Sequence, residues 1–336
     1  MGSVKEFTPP AMLRNAHAMT IAGALWRRKF PTLPTGESRL FRVDDATQAL
    51  GHCHWHADRD AHPALVLLHG LEGSSESGYM LGTAEKAFAA GFHVVRLNQR
   101  TCGGTDHLSP TLYHSGRSAD IRAVILELVE RDALPEVYAA GFSMGGNIVL
   151  KMAGEFADSV PPQIRAFVAV APAMALAACA TALESSENFI YETRFVRGLK
   201  RRMRRKAKLF PKHFRLDGLH RVFTVRQFDD VITAPHSGFR DAEDYYAQSS
   251  ADQLLAKIAR PTLILTAQDD PVVPFFTFDT PAIRENPNIT FLVTRHGGHC
   301  AFISRESGPE RFWAENRIVE FCKSQSELVA KAASRQ

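Results

Sequence analysis

Residues 138–147 read YAAGFSMGGN. An apolar run enters a serine, Ser143, fenced by Gly141, Gly145 and Gly146, and the helically spaced run NIVLKMAGEFAD follows at once. A strand thus turns into a helix across small residues, with a hydroxyl at the apex. Either the glycines merely allow a tight turn, or the turn holds the serine up for chemistry. The second reading has a physical logic. On so sharp a turn, side chains two residues either side of the serine collide unless they are small, and Gly141 and Gly145 meet that need. The hydroxyl then stands at a helix N-terminus, where N–H groups and the helix dipole favour an oxyanion.

Outward from this stretch the chain keeps one rhythm. ALVLLHG (64–70), FHVVRLNQR, EVYAAGF, IRAFVAVAP, RPTLILTA and NITFLVTR read as buried strands. GYMLGTAEKAFAAG (78–91), SADIRAVILELVERDAL and the closing ERFWAENRIVEFCKSQSELVAKAA have helical spacing. Strands alternating with helices predict an α/β fold: a mostly parallel sheet with helices on both faces. Two earlier strands, near 38–43 and 49–55, are expected to form an antiparallel edge. Between about 173 and 252 the rhythm breaks into helical, basic and aromatic sequence. That segment lies between two core strands, so it reads as a helical cap inserted into a single domain spanning 1–336. Insertions of this kind sit at the ligand-binding end of the sheet.

Composition narrows the class. The chain has 336 residues, 45% hydrophobic and 23% charged, which suits one large globular core. Its five cysteines are scattered and form no CxxC pair, which argues against a disulfide framework and for a reducing compartment. The opening MGSVKEFTPPAMLRNAHAMTIAG lacks a positive head followed by an apolar stretch, and Glu6 breaks the myristoylation pattern. No apolar run approaches the ~20 residues of a membrane span. The expected location is the cytoplasm. The net charge of +4 conceals an asymmetry: 194–215 holds eleven Lys and Arg and no acid, so the rest of the chain is net negative.

A serine hydroxyl needs a base. RHGGHCAF offers His296 and His299 on the loop after NITFLVTR. His299 is favoured, because Gly297 and Gly298 give it room to cross the sheet end; His296 is the alternative. A base needs an orienting acid, and LILTAQDDPVVP ends a strand with two. The stretch resembles the α/β-hydrolase loop, which usually reads small-x-x-Asp before a proline-containing turn; that resemblance implies Ala267 as the small residue and Asp270 as the acid, with Asp269 its competitor. An oxyanion would be met by two backbone N–H groups. Met144 follows the serine, and Leu71 in HGLEGSSES follows a strand end. His69 reads as a buried hydrogen-bonding residue, and Cys102 as a structural thiol.

The order Ser143, Asp270, His299 is that of α/β-hydrolases. FTPPAMLRNAHAMTIAG, LLHGLEGSSESGYM, LNQRTCGGTDHLSPTLYHSG, GFSMGGNIVLK, FDDVITAPHSGFRDAEDYYAQSS and AQDDPVVP…GGH together resemble the AB hydrolase 4 family. That family includes YheT-like esterases, plant embryogenesis-associated proteins and mammalian membrane-anchored lipases. The resemblance spans about 7–320. It implies an α/β-hydrolase fold and serine hydrolysis of carboxylic esters, with Ser143, Asp270 and His299 on the catalytic positions. One departure is Thr101, where the family more often has glycine. The mammalian membrane anchor is absent from the resemblance, so their location does not carry over.

The chemistry implied is two-step acyl transfer on short- to medium-chain esters. It needs no cofactor and no metal. Rival readings are an acyltransferase or thioesterase using the same residues, and a hydrolase-fold binding protein without catalysis. The expected partner is a small-molecule ester or lipid; no nucleic-acid motif is present. The basic run KRRMRRKAK (200–208) reads first as a solvated helix face, and 194–215 second as a weak contact for an anionic membrane surface. HCHWH (52–56) reads as a polar edge-strand face, not a metal box. Aromatics scattered through 191–246 are expected to pack the cap, with some lining an acyl pocket; sequence does not sort them.

Overall fold

The computed structural model describes residues 5–333. The Met1-Gly2 start, considered above for lipidation, lies outside the described residues. Eight strands form one sheet: β1 Glu37–Arg42, β2 Gln48–His54, β3 Ala64–Leu68, β4 His93–Leu97, β5 Val137–Phe142, β6 Ile164–Val170, β7 Thr262–Ala267 and β8 Ile289–Thr294. Their spatial order is β1-β2-β4-β3-β5-β6-β7-β8. β1 pairs β2 and β2 pairs β4 antiparallel, and all later pairs are parallel. The antiparallel edge expected near 38–55 is there.

The central strands are buried end to end, because helices cover both faces. Alternate residues divide between two cores. Leu65 and Leu67 of β3 join the core under α2 (Gly78–Ala89) and the closing helix Trp313–Ala333. Ala64, Val66 and Leu68 join the core under α3 (Ser118–Glu130) and α4 (Met144–Phe156). An additional helix, α1 (Ala16–Leu25), precedes the sheet; Met19 on it is fully buried, and its sulfur accepts the Ile303 N–H. Between β6 and β7 the described residues contain helices and no strand, notably α5 (Leu176–Leu183) and α6 (Phe189–Leu209). Among the described residues no helix is long and apolar enough to cross a membrane.

The reading of HCHWH as a polar edge face needs correction. β1 is the edge and β2 is paired on both sides. His54 is 2% exposed, accepts from Arg96 Nε at 3.1 Å and meets Pro34 O at 2.9 Å. Burial, then the Arg96 charge, push its pKa down to about 4. His56 lies beyond the strand and stacks on Phe88, ring centroids 4.0 Å apart. His54 and His56 therefore do separate packing jobs. Among the described residues no cluster of His, Cys, Asp or Glu is arranged to hold a metal ion.

Candidate active site

Ser143 stands between β5 and α4 with φ 53° and ψ −120°, a strained conformation for a side-chain-bearing residue. The glycines make it possible. A methyl on Gly141 would collide with the Gly145 carbonyl, and one on Gly145 would come 2.5 Å from the His69 and Leu68 carbonyls. The Ser143 N–H donates to Val170 O at 2.9 Å, which ties the turn to β6.

The loops after β7 and β8 bring the other candidates to the same point. His299 Nε2 lies 2.8 Å from Ser143 Oγ. Its Nδ1 lies 2.8 Å from Asp270 Oδ2 and 3.1 Å from Oδ1. With Nδ1–H donating to the carboxylate, Nε2 is left to accept from the hydroxyl. The Asp270 side chain is 0% exposed and that of His299 11%. Asp270 Oδ1 also accepts the N–H groups of Val272 and Val273, at 2.8 and 3.0 Å, which fixes the carboxylate. Burial alone would lower the His299 pKa; the adjacent Asp270 carboxylate, with Cys300, outweighs it and raises the pKa well above 6.5.

The competing residues form a separate pair. His296 Nδ1 lies 3.1 Å from Asp269 Oδ2. Asp269 Oδ1 accepts the Gly298 N–H at 3.0 Å, so it braces the loop that carries His299. Thr20 on α1 does the same from the other side: its Oγ1 accepts the His299 N–H at 2.9 Å. The sequence reading missed this contact, since nothing local links residue 20 to residue 299.

Leu71 and Met144 line one cavity with Ser143. Neither N–H has a hydrogen-bond partner among the described residues. The loop after β3 runs beside the serine; a methyl on Gly70 would come 3.1 Å from Ser143 Cβ. His69 behind it is fully buried, contacts Gly70 O at 2.8 Å and accepts the Gln99 N–H at 3.2 Å. Burial pushes its pKa down to about 4, so it stays neutral and structural. Asn98 holds Ser75 through Oδ1 and Nδ2, Gln99 Nε2 donates to His69 O at 2.6 Å, and Arg100 pairs with Asp120 of α3. The 98–104 element is thus a bracket for the Leu71 loop. Thr101, the departure from glycine noted above, has φ 66° and is fully buried. Cys102 is fully buried too, and burial pushes its thiol up to about 12.

The cavity is lined mainly by apolar side chains. Helices between β6 and β7 form much of its wall through Leu176, Leu183, Leu199 and Met203. The structure sorts the aromatics: Phe195, Phe228, Tyr245 and Tyr246 face the cavity, whereas Phe223 is 70% exposed. The basic run is not simply a solvated face. Arg202 and Lys206 of α6 are buried, and Arg205 pairs with Asp106 at 2.9 Å. Arg194, Arg197, Arg201, Arg204 and Lys208 face solvent along one stripe.

The family model for the alpha/beta hydrolase fold matches residues 63–306. The chain belongs to the α/β-hydrolase family. Within that family it resembles the YheT protein of Escherichia coli (strain K12), with 32% identity over 95% of this chain and 93% of that protein. This α/β-hydrolase is also 30% identical to the monoacylglycerol lipase of Saccharomyces cerevisiae, over 79% of this chain and 60% of that one. Among solved structures, the Pyrococcus furiosus esterase Pf2001 shares the fold, with TM-score 0.60 and 16% identity over 96% of this chain and 98% of that one.

Proposed function

We propose that the chain is a carboxylic ester hydrolase acting through Ser143, His299 and Asp270. The observation that carries this reading is the pair of 2.8 Å contacts, Ser143 Oγ to His299 Nε2 and His299 Nδ1 to Asp270 Oδ2. His299 takes the Ser143 proton as Oγ attacks the ester carbonyl carbon. The Leu71 and Met144 N–H groups receive the oxyanion, each worth ~3 kcal/mol of transition-state stabilisation. As the intermediate collapses, the C–O bond to the alcohol breaks and His299 protonates the departing oxygen. Water, deprotonated by the same imidazole, then attacks the acyl-serine and frees the acid. Asp270 holds the imidazole in its tautomer and stabilises its charged form.

The cavity lining supports this substrate class. Its apolar wall suits a short- to medium-chain acyl group. The yeast relative's name, monoacylglycerol lipase, points to the same lipid-ester chemistry. Segment 173–252 acts as a cap that chooses the acyl group. The outward cationic stripe of 194–215, beside exposed Phe189, Ile190 and Phe223, gives the cap a weak contact with anionic membrane surfaces. A cytoplasmic location accords with five free cysteines, four of them buried.

A chain-length series of p-nitrophenyl esters tests the assignment. The expected optimum lies between acetate and decanoate; no hydrolysis of any member contradicts it. Co-sedimentation with phosphatidylserine vesicles tests the membrane contact: binding at low salt that falls at physiological salt supports it, and no low-salt binding rejects it.

A further inference from the structure

Two turns, one after β3 and one after β4, share an unusual feature. In the first, the Gly73 N–H donates to Gly70 O at 3.1 Å, and the third residue, Glu72, has φ 54°. In the second, the Cys102 N–H donates to Gln99 O at 2.9 Å, and the third residue, Thr101, has φ 66°. Turns with positive φ at the third position ordinarily place glycine there. A left-handed residue with a side chain costs roughly 1–2 kcal/mol, and more if β-branched, so something must hold both turns.

One guanidinium grips both. Arg202, on α6, donates from Nε to Glu72 Oε1 at 2.9 Å and from Nη1 to the Thr101 carbonyl. It is 6% exposed and lies over the Tyr113 ring, 4.7 Å from its centroid. Tyr113 OH donates to the same Glu72 oxygen at 2.6 Å. One turn earlier on α6, Gly198 leaves room for this carboxylate; a methyl there would collide with Glu72 Oε2. The residue so held directly follows Leu71, the candidate oxyanion donor.

We propose that Arg202 is a positioning residue for the oxyanion loop. It keeps Glu72 in the left-handed region, and so keeps the Leu71 N–H aimed at the oxyanion. The site is therefore complete only when α6 is seated on the core. Without Arg202, Glu72 relaxes toward negative φ, the Leu71–Glu72 peptide rotates, and Leu71 shifts. Only a planar fork meets both partners; a lysine reaches one of them. This inference rests on Ser143 being the nucleophile.

Steady-state hydrolysis of p-nitrophenyl butyrate by Arg202→Met, with fluorophosphonate labelling of Ser143 in the wild type alongside, tests it. An oxyanion donor acts in the transition state, so kcat should fall roughly 10- to 100-fold while KM stays within about threefold. Arg202→Lys should recover part of the loss. The double variant Glu72→Gln/Arg202→Met removes the unpaired charge; it should regain thermal stability but keep the low kcat. Gly198→Ala, which leaves Arg202 intact and displaces Glu72, should lower kcat in the same way and serves if Arg202→Met does not fold. A raised KM with unchanged kcat, or full recovery of kcat in the double variant, would overturn the proposal. A wild type that neither hydrolyses the ester nor takes the label would overturn the hydrolase reading first, and this inference with it.

Discussion

Two aspartate–histidine pairs lie side by side at the ends of β7 and β8. Asp269 meets His296 at 3.1 Å and Asp270 meets His299 at 2.8 Å, so geometry within each pair barely separates them. Burial and direction do. The side chains of Asp269 and His296 are 22% and 29% exposed, against 0% and 11% for Asp270 and His299. Water screens the first pair, while the second interacts at low effective dielectric with its carboxylate pinned by two backbone N–H groups. Only the second pair ends on a serine. A one-residue step along a strand-end loop therefore separates a pair that braces the loop from a pair aimed at the Ser143 hydroxyl.

The sharpest way to break this comparison is to remove each member. His299→Ala should lower kcat by about 10⁴-fold or more, since base and acid are lost together, with the fold retained. Asp270→Asn should cost roughly 10³- to 10⁴-fold, because the amide favours the wrong tautomer. Asp269→Asn keeps an acceptor oxygen for the Gly298 N–H and loses only the charge facing the partly exposed His296, worth about 1 kcal/mol or less, which limits the loss to about fivefold. His296→Ala should leave kcat within about twofold, as expected for an exposed pair. Initial rates on p-nitrophenyl butyrate, with circular dichroism to check folding, rank all four.

The pH profile sharpens the same contrast. Only neutral imidazole accepts the Ser143 proton, so kcat/KM rises with pH through the His299 pKa. Asp270 raises that pKa, which puts the acid limb above 6.5 in the wild type. Asp270→Asn removes the negative charge and should move the limb to lower pH. Asp269→Asn should leave it in place. A limb that follows Asp269 would reverse the assignment.

The sequence carried what local pattern can carry. Gly141 and Gly145 announced the turn around Ser143, and Ala267 set the register that chose Asp270 over Asp269. The strand–helix alternation yielded the parallel sheet, because burial on both faces writes itself as continuous apolar runs. What it hid is long-range. Thr20 braces His299 across 279 residues. Arg202 looks, in KRRMRRKAK, like its exposed neighbours; only the 3.6-residue period of α6 turns it inward with Lys206. The HCHWH run misled for a related reason: alternation identifies faces, but not that β4 would pair the strand on its other side and that Arg96 of β4 would meet His54.

The central claim is that Ser143 is a nucleophile activated by His299. Peptide mass spectrometry after brief exposure to a fluorophosphonate tests it most directly. The account predicts a single phosphonyl adduct on Ser143 in the wild type, lost in Ser143→Ala and strongly slowed in His299→Ala. No adduct, or an adduct on another residue that persists in Ser143→Ala, would contradict it.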